Sequence, residues 1–347
     1  MDTVVRGETL EGRLERRQLP IGAHLGAFWI RPELQLDEAL DNNIFATQSG
    51  SRADAITTLA GRFAADYAFG SNRLSFDGYG AGHKYATNPT EDAWEGAAHT
   101  IFDGEVHDDV HVVADGAVKR LVDPRTDPTG LSGLRPTTYL VYEGRAGALL
   151  GHADRNIIDT HIEAKRTVYD SLIGRLGPID TTDRNRTEVS AEGNFAHRFF
   201  DQQRVYVKIR PDTRMYDRRF DDNGFQRSSS GIRANVGGTL DLNSIIVLNL
   251  ESGYQFQNYD DPRFGSIGEP DITLSGSWWP TQLTMFSAKF THEYYEAFFI
   301  TSPGAVRNQV VLRVDHELLR RLLLTSAATF ERDDTVKVPS RIVSELA

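Results

Sequence analysis

Residues 204–216 read RVYVKIRPDTRMY. Val205, Val207, Ile209, Pro211, Thr213 and Met215 share one parity, while Arg204, Tyr206, Lys208, Arg210, Asp212, Arg214 and Tyr216 share the other. A strand turns successive side chains to opposite faces, so this segment has one mainly apolar face and one strongly charged face. It is about twice the usual soluble strand of about five or six residues. It does match the roughly 9–11 residues that cross a bilayer at a tilt.

The same period recurs on both sides. Ile30, Pro32, Leu34, Leu36 and Leu40 share a parity, as do Leu59, Phe63, Tyr67 and Phe69. Ile158, Thr160, Ile162, Ala164 and Val168 alternate with Asp159, His161, Glu163, Lys165 and Thr167. Ile232, Ala234, Val236 and Leu240 lead through DLNS to Ile246, Leu248, Leu250, Tyr254 and Phe256. Leu322, Leu324, Ala328 and Phe330 make the last clear strand. Thr138 to Ala148 alternates with less contrast.

Connections alternate between tight turns, such as GSN at 70–72, and long polar loops, such as DNNIFATQSGSRAD at 41–54 and VDPRTDPTGLSGLRP at 122–136. All long loops therefore fall at one end of the strands and all tight turns at the other. That asymmetry, and aromatics beside the turns at Phe69, Phe199, Phe200, Trp278 and Trp279, are those of an outer-membrane barrel with an interfacial girdle. The pattern predicts an all-β, antiparallel up-and-down transmembrane β-barrel of about 16 strands spanning residues 21–347, preceded by a polar periplasmic leader at 1–20. About fifteen strands are legible, so a return strand is needed to close the ring. Either the tail TVKVPSRIVSELA supplies it or the barrel is incomplete at the C-terminus.

Composition narrows the alternatives. The formal net charge of -11 argues against a nucleic-acid partner, because phosphate neutralisation needs a basic surface. The absence of cysteine removes disulfide frameworks, thiolate metal sites and cysteine nucleophiles. A mean hydropathy of -0.41, with no run of ~18 apolar residues, excludes a helical membrane protein. Alternating spans average out to polar, so a barrel stays open. A soluble β-sandwich also shows one-sided alternation and is the competing fold. The N-terminus, MDTVVRGETLEGRLERRQLPIG, has no charged-then-apolar secretion signal, consistent with either a mature outer-membrane protein or a cytoplasmic one.

On the polar parity, Arg204, Lys208, Arg210, Arg214, Arg233 and Arg313, with Asp159, His161, Glu163, Lys165 and Glu251, are the expected pore-lining residues. Two roles are open to them: drawing anionic solutes into a pore, or pairing across strands to fill a polar lumen. His99, His111 and His161 could serve a barrel hydrolase, but no nucleophile-elbow spacing or HExxH is present. FDDNGF at 220–225 lacks the oxygen spacing and distal Glu of a calcium loop and reads as a surface turn. No catalytic, cofactor or metal residues are assigned.

DNNIFATQSG at 41–50, YDRRFDDNGF at 216–225, YDDPRF at 259–264 and DHELLRRLLLTSAATFERDD at 315–334 resemble the putative beta-barrel porin type 2 proteins of the Gram-negative outer membrane. The leader RGETLEGRLERRQLPIG at 6–22 is similar to theirs, and the resemblance covers residues 5–334. It implies a barrel, often encoded beside exopolysaccharide machinery, with members that continue into further strands after ERDD. The expected function is a porin-like channel without enzymatic activity, for passive passage of solutes or exported polysaccharide. The alternative is a non-conducting structural or docking barrel of an export system. Expected partners are outer-membrane lipid, polysaccharide or a small anionic solute, and periplasmic export components. The protein is expected to partition into membranes and to change gel mobility on boiling. Free solubility at high concentration without detergent would place the apolar parity against a second sheet instead.

Overall fold

A computed structural model describes residues 9–336, apart from residues 11, 14–21, 48, 124, 126–132, 152–154, 175–176, 201–202, 243–244, 297–301 and 320–321. The strands are β1 (Ala23–Leu25), β2 (Phe28–Asp41), β3 (Asp54–Phe69), β4 (Asn72–Tyr85), β5 (Ala93–His107), β6 (Val110–Val122), β7 (Thr138–Leu150) and β8 (Asn156–Tyr169). β9 (Leu172–Gly174) and β10 (Gly177–Ile179) form a small ribbon inside one long connection. The wall resumes with β11 (Arg186–Phe200), β12 (Gln203–Tyr216), β13 (Ser229–Leu242), β14 (Ile246–Tyr259), β15 (Ser266–Thr281), β16 (Thr284–Glu296), β17 (Gly304–Leu319) and β18 (Leu322–Thr335). All but β9 and β10 belong to one 16-stranded sheet in which every neighbour is antiparallel and next in the chain order of the wall.

Short connections at 26–27, 70–71, 108–109, 151–155, 201–202, 243–245, 282–283 and 320–321 alternate with longer ones at 42–53, 86–92, 123–137, 170–185, 217–228, 260–265 and 297–303. The two ends of the wall are thus a turn end and a long-loop end. The sheet's sixteenth strand is β1, a three-residue piece paired to Phe28, Trp29 and Ile30 at the start of the wall, and not the return strand expected after β18. The tail beyond Val336, the candidate for that return strand, lies outside the described residues. Among the described residues no register joins β18 to β1 or β2. The strand before the last turn runs on to Leu319, with the ladder slipping at Leu318 between the Glu317–Leu323 and Leu319–Leu322 pairs.

Burial runs opposite to that of a water-soluble sheet. Val205, Ile162 and Val236 are 44%, 63% and 58% exposed, while Asn235, Gln255 and Asp271 on the other face are 4%, 3% and 4% exposed. Greasy positions face outward and polar ones inward, as hydrocarbon around the wall requires. A β-sandwich would hide the apolar set. Outward parity turns polar near the ends of the strands, at Glu38, Lys84, Arg120, Arg166, Asn308 and Arg332 toward the long loops and at Asn156, His197 and His316 toward the turns. A strand of 14 residues tilted by about 40° rises about 35 Å, more than the apolar band of about 25 Å, so its last residues stand clear of the lipid.

Outward aromatics collect at the turn end. Phe28, Tyr67, Phe69 and Phe102 follow one another at centroid spacings of 5.2, 5.2 and 6.5 Å, and Trp278 stacks on Phe286 at 5.3 Å. Phe199 and Phe200 are both exposed because the ladder slips between Arg198 and Phe200, which lets adjacent residues share a face. Trp279 departs from the expected girdle: it has the opposite parity to Trp278 and is half-buried.

At the long-loop end three connections pack together. Tyr259, Phe264, Ile267 and Tyr294 form a small core with Phe225 and Val336 against it. Arg227 and Asp221, both buried, are joined at 2.7 Å, and Arg227 also donates to the Ser302 carbonyl at 3.4 Å. Burial works to raise the pKa of Asp261, but hydrogen bonds from Arg263 and the backbone N–H groups of Gln226 and Arg263 outweigh it and hold the carboxyl below the ordinary carboxylate range.

Two outcomes follow. Val236→Arg, at mid-span on the outer face, is expected to cost about 2–4 kcal/mol in urea titrations of lipid-folded protein, and Ser275→Arg on the inner face much less. The depressed Asp261 pKa makes its contribution complete above the unfolded value of about 3.9 and lost as pH falls through the folded value. Amide exchange in 217–228 and 260–265 should therefore rise on acidification below about pH 4, and Asp261→Asn should show that fast exchange at neutral pH.

Candidate functional site

The inner face carries a continuous polar band centred on β12. Lys208 Nζ and Tyr206 Oη both donate to Glu251 Oε2, at 2.8 and 2.7 Å, and Asn235 Nδ2 donates to Glu251 Oε1 at 2.8 Å. Tyr206 can lie there because Gly237 on the neighbouring strand has no side chain; a Cβ would stand 2.3 Å from the phenol ring. Asn235 also donates to Asp271 at 3.0 Å, and Arg233 reaches Asp271 at 3.2 Å and Gln255 at 2.6 Å. Arg210 donates to Glu163 at 3.3 Å and to Ser190 at 3.2 Å.

Toward the long-loop end the band is half-buried. Arg186 donates to Glu188 at 2.9 Å, and Arg214 lies 3.8 Å from Glu188, 3.7 Å from Asp212 and in direct contact with Glu296. Glu296 also accepts from Tyr216 at 2.6 Å, and the hydroxyls of Tyr259 and Tyr294 meet at 2.6 Å. Glu296 and Tyr294 have the parity of the lipid-facing Phe286, Ala288 and Phe290. Even so, they reach inward groups of β12 and β14. The reason is that β15 and β16 share no register beyond Ile272 and His292, which lets the end of β16 cross over the mouth of the polar face.

Beneath that crossing lies a cavity of about 160 Å³ lined by Glu163, Lys165, Glu188, Val189, Ser190, Arg210, Asp212, Arg214, Arg233 and Gln255. Five of the expected lining residues, Glu163, Lys165, Arg210, Arg214 and Arg233, meet here. Lys208 and Glu251 continue the band below it. The others stand apart: Arg204 is opposite Arg198 and Thr239 near the turn end, Asp159 and His161 are a pair at 3.9 Å along β8, and Arg313 holds Asp315 at 2.9 Å on β17. Basic partners on other strands hold Glu163 and Glu251, while Asp315 is held by Arg313 along its own strand.

Glu188, Ser190, Asp212 and Gln255 were findable from parity alone. Tyr259 shares the parity of Gln255; Glu296 and Tyr294 were not findable, because strand crossing brings them in. His83 accepts or donates at 2.9 Å to Thr58 and lies 3.7 Å from Glu95; His99 lies 3.7 Å from Asp115 and His111 3.8 Å from Asp103. These contacts are rungs across adjacent strands. Among the described residues no cluster of three or more His, Asp or Glu could hold a metal ion.

The fold is similar to that of the copper transporter OprC, with TM-score 0.52 and 12% identity over 90% of this chain and 58% of that one. The chain therefore spans a little over half the length of that transporter. The ferric-catecholate import receptor Fiu of E. coli K12 aligns with TM-score 0.47 and 8% identity over 89% of this chain and 66% of that one. The toluene transporter TodX of P. putida gives 0.37 and 10% over 89% and 90%. No curated protein sequence matches. The profile of the family described as putative beta-barrel porin 2 matches residues 19–338, the whole wall from β1 to β18, and the chain belongs to that family.

Proposed function

We propose that this outer-membrane barrel channel passes hydrophilic solutes passively, without catalysis, and that the mixed-charge cavity between β8 and β14 is its selective constriction. The observation that carries this is the inverted sidedness, with ionised groups inside a wall whose apolar residues face out. The cavity counts Lys165, Arg210, Arg214 and Arg233 against Glu163, Glu188 and Asp212, so its lining is weakly positive. Small anions, or acidic sugars of an exported polysaccharide, suit such a lining better than cations do. The histidine–carboxylate pairs serve here as polar lining.

The packed core at the long-loop end favours a second reading, a non-conducting barrel that docks export components. Tyr259, Phe264 and Tyr294, with the Arg227–Asp221 pair, close that side of the mouth. Planar-bilayer recording separates the two: open steps support the channel, and silence from heat-modifiable, folded protein supports the scaffold. In a conducting sample, Lys165→Glu and Arg210→Glu should each move the reversal potential toward cation preference. A unit charge about 4 Å from an ion in water is worth about 1 kcal/mol and each substitution changes the local charge by two units, so anion entry should fall roughly thirtyfold per substitution.

A further inference from the structure

Leu10 and Arg13 are buried, at 1% and 3% exposure, although they precede the sheet and lie outside the residues that define the family. Thr9 caps a short helical turn: its hydroxyl accepts from the Gly12 N–H at 3.0 Å and its carbonyl from the Arg13 N–H at 3.0 Å. The turn sets Arg13 against the turn end of the wall. Its Nη1 donates to the carbonyl of Gln282, between β15 and β16, at 2.7 Å and lies 3.8 Å from Glu317 Oε2. Glu317 has the inward parity of Arg313 and Asp315 and is itself buried, so the contact is on the lumen side of the mouth.

We propose that the lumen side of the turn-end mouth, beside β15–β17, is a docking site for the chain's own Thr9, Leu10, Gly12 and Arg13, anchored by Arg13 on Glu317 and the Gln282 carbonyl. The charges select this occupant: the Arg13 guanidinium donates to the Gln282 carbonyl and lies beside the buried Glu317 carboxylate. The docked segment narrows the mouth. The effect on flow rests on the channel reading above; the docking does not.

The chain has no cysteine, so single-cysteine reporters are clean. In folded, detergent-solubilised full-length protein, Leu10→Cys should react with a membrane-impermeant maleimide on the order of tenfold slower than Ser71→Cys in the exposed β3–β4 turn. Arg13→Glu, which alters no strand, should bring Leu10→Cys to the Ser71→Cys rate. Adding Glu317→Arg to it should restore protection by reversing the pair. Equal rates for the two reporters with Arg13 and Glu317 intact would overturn the docking. Protection that survives Arg13→Glu would overturn the anchor.

Discussion

Hydrocarbon offers no hydrogen bonds, so every backbone N–H and C=O that crosses it must find its partner within the wall. That constraint explains why strands of 13–16 residues run side by side with ladders that hold register over almost their whole length. It also explains where the ladder yields. Between β11 and β12 the paired residues skip from Ser190 opposite Asp212 to Gly193 opposite Ile209, and Pro211, which has no N–H to give, sits in the gap. The proline is on the apolar parity, where its ring adds to the lipid-facing surface.

Once the backbone is satisfied, side chains sort by solvent. The outer face carries isolated apolar side chains that touch lipid, and the inner face carries charges that cannot be left alone in a narrow, partly dry space. Most are neutralised by a neighbour one or two strands away, as Lys208 is by Glu251 and Arg210 by Glu163. Such pairs add little stability where water reaches them. Their effect is to set the shape and charge of the interior while leaving a small positive excess around the cavity.

The two mouths of the wall are treated differently. At the long-loop end, aromatic packing and the buried Arg227–Asp221 pair draw the connections 217–228 and 260–265 together with Ser302. At the turn end the connections are too short to cover anything, and the residues that pack there come from ahead of the first strand, at Leu10 and Arg13.

Strand positions, the alternation of short and long connections, the direction of the faces and most of the inner lining were legible in the sequence, because period two in a long segment has a single geometric meaning. Val236 outward and Asn235 inward needed no coordinates. Other features were decided by the tertiary structure. The sixteenth strand is the three-residue β1, too short to carry a period. Glu296 and Tyr294 join the polar interior against their own parity, because β15 and β16 part company and the end of β16 crosses the mouth. Parity states which face a residue occupies relative to its neighbours, whereas the curvature of the sheet determines which distant faces meet.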